Sequence, residues 1–164
     1  MKDEKNTDNG YRALTNDVLA EVSKRAAASP RKRMNHNFHE LPDRVQRMLN
    51  AIEPGTYLRP HRHLDPPKTE TFLLLRGEAS AVIFEDQGTV RDIVRLSERT
   101  GNLGVDIKPG TWHSLISQAP GTVIFETKEG PYVPATDKDF APWAPPEGSS
   151  EAAAYLQKLL RLAS

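Results

Sequence analysis

The chain has 164 residues, its 22 Lys and Arg balance 22 Asp and Glu, and it contains no cysteine. That length suits one domain, and the neutral balance gives no electrostatic reason to expect nucleic acid or an anionic membrane as partner. Without cysteine there are no disulfides, thiolate metal sites, iron–sulfur clusters or cysteine nucleophile, so any metal must sit on His, Asp or Glu.

Residues 1–10 are polar and charged, which predicts a disordered tail and gives no secretory signal. The longest strongly apolar run, 72–75, is far short of a membrane span. The expectation is a soluble, cytoplasmic protein. A helix is predicted from Thr15, which can cap it, with Leu14 and Leu19 as a staple and Asp17 in the positive first turn. Leu14, Val18, Leu19 and Val22 form its apolar stripe, and Ser29-Pro30 ends it. The basic run Arg31-Lys32-Arg33 reads as a solvated turn. Val45, Met48, Leu49 and Ile52 have helical spacing, yet the segment runs directly into strand-like sequence after Pro54-Gly55.

Beyond Gly55 short strands are predicted over 56–63, 70–76, 79–85, 90–96, 103–107, 112–117 and 122–127. Turns are marked by Gly77, Gln87-Gly88, Pro109-Gly110 and Pro120-Gly121. Such regular spacing without intervening helices implies an antiparallel sandwich or small barrel, with Phe72, Leu74, Ile83 and Phe125 in its core. The Pro-rich stretch 130–148 carries Tyr132, Phe140 and Trp143 and should pack across the domain. A final helix over 151–162, capped by Ser149 or Ser150, presents Tyr155, Leu156, Leu159, Leu160 and Leu162. The organisation is thus a tail and helix (1–29), a barrel (30–148) and a C-terminal helix (149–164).

Three of the five histidines carry the chemistry. His61 and His63 share a strand face because they are two residues apart; Glu70 and His113 lie at the starts of later strands. Neighbouring strands in a barrel would let the four converge at its mouth, where imidazole and carboxylate suit Mn, Fe, Co, Ni, Cu or Zn. Arg59 has the parity of His61 and His63 and is a candidate for holding a substrate carboxylate or phosphate, or else a rim arginine in solvent. Lys68 and Lys108 fall near the mouth. Glu126 is a candidate partner to a ligand imidazole, and His36 and His39 suit turn or packing roles.

Gly55-Thr-Tyr-Leu-Arg-Pro-His61-Arg-His63, with Glu70 and Gly77, resembles the first motif of the cupin superfamily; 104–113, through Pro109-Gly110-Thr111-Trp112-His113, resembles the second. More closely, 47–55, 59–63, 109–113 and 137–145 resemble the WbuC-type cupin-fold metalloproteins, a likeness spanning roughly 28–148. The resemblance implies an all-β double-stranded β-helix (jelly-roll) barrel, makes 47–52 a strand, and assigns His61, His63, Glu70 and His113 as ligands of one divalent transition metal. It further implies a setting in bacterial surface-polysaccharide (O-antigen) biosynthesis and a homodimer. The His63–Glu70 interval is longer than the usual cupin pattern, so 64–69 should bulge at the mouth. Lys108 stands where a proline is expected, and the asparagine usual after the second-motif histidine is missing. Two functions follow: a metal-dependent enzyme on a small anionic or sugar-derived molecule, or a binding or sensory module whose metal anchors a ligand without turnover.

Overall fold

The computed structural model describes residues 10–164, so the expectation for the N-terminal tail falls almost wholly outside the described residues. The element order is α1 (Asn16–Ala28), β1 (Arg33–Asn37), β2 (Val45–Ile52), β3 (His61–Arg62), β4 (Glu70–Arg76), β5 (Ala79–Phe84), β6 (Val90–Leu96), β7 (Gly104–Ile107), β8 (Trp112–Ser117), β9 (Thr122–Glu129), β10 (Asp139–Phe140) and α2 (Ala152–Leu162). Two five-stranded antiparallel sheets, ordered β1-β2-β9-β4-β7 and β10-β3-β8-β5-β6, face each other as a jelly roll.

Part of each sheet is covered on both faces, and that explains the sequence pattern. Inside, Ile52, Phe72, Ala81, Ile83, Leu115 and Ile124 belong to the core between the sheets. Outside the first sheet, α1 packs Leu19, Val22 and Ala26 on Leu49, Ala51 and Val123. Outside the second, α2 packs Leu156 and Leu159 on Val82, Phe84 and Ile116. A strand with both faces covered is apolar at successive positions, so β5 and β8 are buried throughout and lose the polar–apolar alternation of a half-exposed strand. The same effect produces the misleading period in β2. Met48 and Ile52 point into the barrel while Leu49 points out under α1, and together they mimic a helical stripe. Phe125 likewise faces α1 rather than the interior expected for it.

Thr15 caps α1 as expected, its Oγ1 accepting from the Val18 N–H, but Leu14 is exposed and the buried stripe is Leu19, Val22, Ser23 and Ala26. The expected strand 56–63 shrinks to His61–Arg62, because the backbone before it bonds elsewhere. The carbonyls of Tyr57 and Leu58 accept from the Arg33 guanidinium and Ser114 Oγ, the Pro60 carbonyl accepts from the Ala141 N–H, and Pro60 has no N–H to give a ladder. The basic run is no free turn. Lys32 has a left-handed φ of 54°, β1 begins at Arg33, and Arg31 and Arg33 both pair with Glu147 at 2.8 and 2.7 Å. Neither Ser149 nor Ser150 caps α2, whose N-cap Glu151 makes no side-chain capping bond. The Pro-rich strap does cross the domain: Asp139 and Phe140 pair with β3, Tyr57 Oη donates to the Pro145 carbonyl, and Trp143 lies 5.1 Å from Phe84. Gly88 is required there. Its φ is +90°, and a Cβ would come within 2.6 Å of the Trp143 ring.

If α2 is held by its buried leucines, Leu159→Ala lowers the free energy of unfolding by about 2–4 kcal/mol, whereas Leu162→Ala, at a position 52% exposed, costs under about 0.5 kcal/mol. Urea denaturation of the two variants checks this; equal losses would overturn it.

Candidate metal centre

His61 and His113 stand directly opposite each other in the β3–β8 register. His63 follows on the same side, its carbonyl accepting from the Gly110 N–H at 2.9 Å, and Glu70 opens β4 across the barrel mouth. Residues 64–67 are exposed between them, closed by a bridge between Leu64 and Pro67, while Lys68 turns inward. One ligand atom from each of His61, His63, Glu70 and His113 lies within 4.8 Å of the others, and all four residues are buried. The structure brings together the four residues that the sequence motifs single out.

Backbone carbonyls orient the imidazoles. His61 Nδ1 lies 3.1 Å from the Arg59 carbonyl, His113 Nδ1 lies 2.9 Å from the Thr111 carbonyl, and His63 Nδ1 contacts the Asp137 carbonyl. A carbonyl oxygen only accepts, so each Nδ1 carries a proton and each ring turns its Nε2 to the interior. There His113 Nε2 lies 2.9 Å and His63 Nε2 3.2 Å from Glu70 Oε2. The Nε2 atoms of His61 and His63 are buried without a hydrogen-bond partner. Orphaned buried acceptors cost about 1–3 kcal/mol each, and a cation among them would satisfy every lone pair at once. Burial, followed by the nearby Lys138 charge, pushes His61 well below the ordinary histidine range and keeps it neutral. Burial works to raise Glu70, but the close approach of the His113 and His63 rings and the Lys128 ammonium outweigh it and hold it ionised.

A charged cluster underlies this group. Lys128 Nζ lies 3.0 Å from Asp137 Oδ2 and 3.6 Å from both Glu70 Oε1 and Glu126 Oε1; Lys68 Nζ donates to Asp137 Oδ1 at 2.9 Å. Burial favours loss of the Lys128 proton, but Glu126, Glu70 and Asp137 outweigh it and keep the ammonium charged. Glu126 is pushed up to about 8, by burial first and the Glu70 charge second. It does not meet an imidazole as expected: its Oε2 accepts from Asn50 Nδ2, and Asn50 Oδ1 accepts from Asn35 Nδ2 at 2.7 Å. Beside Glu70 and His61 opens a cavity of about 420 Å³, with Asn35, Asn50, Phe72, Leu115, Glu126 and Lys138 in its wall.

The remaining candidates scatter. Arg59 donates to the Ala141 carbonyl at 2.8 Å, stacks 5.4 Å over Phe140 and is not part of the cavity wall. Lys108 is exposed. His39 is buried, with Nδ1 accepting from the Arg47 N–H, and His36 packs edge-on against Phe38. Sequence reasoning missed Lys128 and Asp137. A signal for the first exists: Glu126 and Lys128 share the parity of the core residue Ile124 on β9, and charge at core parity marks a buried polar site.

Residues 14–96 match a family model described as Domain of unknown function (DUF6016). The chain belongs to the DUF6016 family. No curated protein matches it. Among solved structures, this DUF6016 member is similar to the capsular polysaccharide assembling protein CapF from Staphylococcus aureus, with TM-score 0.51 and 23% identity over 65% of this chain and 28% of that one. It therefore spans less than a third of CapF. It is also similar to KdgF from Halomonas sp., with TM-score 0.50 and 13% identity over 64% of this chain and 84% of that one. A cupin superfamily protein from Desulfitobacterium hafniense DCB-2 matches with TM-score 0.47 and 14% identity over 59% of this chain and 76% of that one. The two-sheet architecture is the cupin fold.

Burial opposes ionisation of Asp137, but Lys128 and Lys68 hold its carboxyl below the usual range. Its stabilising contribution is therefore complete above the unfolded-state value of about 3.9 and fades as pH falls through the lower folded value. Asp137→Asn, which leaves two buried ammonium groups short of a counter-charge, costs about 3 kcal/mol at neutral pH. Chemical denaturation of variant and parent checks this: the gap should stay constant above about pH 5 and narrow below about pH 4. A gap that widens in acid would contradict the assignment.

Proposed function

We propose that this protein is a cupin metalloprotein in which His61, His63, Glu70 and His113 hold one divalent transition metal. In this reading it acts as a metal-dependent enzyme on a small anionic or sugar-derived molecule in bacterial surface-polysaccharide biosynthesis. The observation that carries the proposal is the set of three imidazoles, each locked by a backbone carbonyl at Nδ1, whose Nε2 atoms converge with one ionised carboxylate in a buried space. Three neutral nitrogens and one carboxylate suit Mn, Fe, Co, Ni, Cu or Zn and leave a divalent ion with net positive charge. Bound there, such an ion supplies a Lewis acid and acidifies a coordinated water. The protein's own part is to keep His61 neutral, hold Glu70 ionised and bury the four side chains among charged partners. The adjoining cavity of about 420 Å³ gives room for a small molecule.

The pathway rests on two supports of a different kind. The motifs over 47–55, 59–63, 109–113 and 137–145 resemble the WbuC-type cupins, and the fold is shared with CapF, which is named for capsular polysaccharide assembly.

Protein prepared without chelator should carry about one equivalent of metal by elemental analysis. His61→Ala or His113→Ala should weaken metal binding by more than about 100-fold while the circular dichroism spectrum stays that of the parent, because the three apolar cores hold the fold. Metal-free parent protein that also fails to take up added Zn, Fe, Mn or Ni would sink the proposal.

A further inference from the structure

We infer that Lys138 is the anion anchor of the cavity beside the cluster, and that the ligand it selects is a singly charged, hydroxyl-bearing small acid. The inference rests on the proposed function and specifies the substrate class of that site. Among the described residues, four Lys or Arg side chains contribute to the cavity wall: Arg31, Arg33, Lys128 and Lys138. Three already have carboxylate partners. Arg31 and Arg33 share Glu147, and Lys128 sits among Asp137, Glu70 and Glu126. Among the described residues, no ion-pair partner falls within 4.0 Å of Lys138.

Its position is set by the strap. Asp137, one residue earlier, is fixed by Lys68, Lys128 and His63, and Asp139, one residue later, pairs with Arg62 in the β10–β3 register. Lys138 is thereby held between two anchored neighbours, half-buried, with its charge felt by both His61 on one sheet and Glu126 on the other. An ammonium in the cavity wall, with no ion-pair partner among the described residues, attracts an anionic group to the space beside His61.

The rest of the wall limits what that anion can be. Glu70 and Asp137 line the same space as carboxylates, so a dianion would meet like charge there, whereas a monoanion is matched by Lys138, which among the described residues has no ion-pair partner. Beyond Lys138 the wall offers amide and carboxyl groups, Asn35, Asn50 and Glu126, strung in one hydrogen-bonded row. That row matches hydroxyl groups, which both donate and accept. A carboxylate for Lys138 and hydroxyls for the row describe the occupant.

Calorimetric titration of zinc-loaded protein with D-glucuronate and D-glucose, which differ in a carboxylate, tests the inference. Glucuronate should bind about tenfold more tightly or better, and inorganic phosphate should bind less tightly than glucuronate. Lys138→Met should abolish the preference for glucuronate without changing zinc content; Lys138→Arg should keep it; Lys108→Met, at an exposed position, should leave it unchanged. Parent protein without the preference, Lys138→Met protein that retains it, or phosphate as the tightest probe would overturn the inference. Repeating the titration on chelator-treated protein separates the two proposals: a Lys138-dependent preference that persists in protein unable to take up zinc leaves the anchor standing while the metal assignment fails.

Discussion

Three backbone carbonyls decide the chemistry of this protein. Those of Arg59, Thr111 and Asp137 each accept the Nδ1 proton of an imidazole in a hydrogen bond, and so each ring turns its Nε2 toward the same point. Without those bonds a buried histidine could adopt either tautomer, and the cluster would be a set of polar side chains with no common purpose. The carbonyls come from three different places: the chain entering β3, the turn before β8 and the strap. The orientation of the rings is thus a property of the whole jelly roll.

The second constraint is charge balance in a buried space. Glu70 stays ionised because His113, His63 and Lys128 surround it, and Lys128 stays charged because Glu126, Glu70 and Asp137 surround it in turn. Removing any member leaves its neighbours desolvated and unmatched, which is more costly than losing a surface pair. Glu126 absorbs the excess: crowded by Glu70, it holds its proton near neutrality and bonds to Asn50.

The sequence made the barrel strands and the four clustered residues visible, because motif spacing and turn residues are local. What it hid was whatever depended on a second covered face or a distant partner. In β2, Met48, Leu49 and Ile52 looked helical because α1 buries one side and the barrel the other, and only the resemblance to cupins corrected it. β1 was hidden behind Arg31-Lys32-Arg33, where Arg31 and Arg33 pair with Glu147 more than a hundred residues away. The same distance concealed the role of Asp137: nothing near it in sequence shows that it lies between two buried lysines and also serves His63. Lys68, by contrast, could be flagged near the mouth but not seen to be buried.

The double use of Asp137 has a thermodynamic corollary. Its side chain fastens the strap to Lys68 and Lys128, while its main chain sets the His63 ring. Opening the strap therefore randomises one donor of the cluster, and a ligand that demands that donor resists the opening by the same free energy. Occupancy of the centre and order in a distant Pro-rich segment are in this way two readings of one equilibrium. The strap joins the cluster's affinity to the protein's own local unfolding.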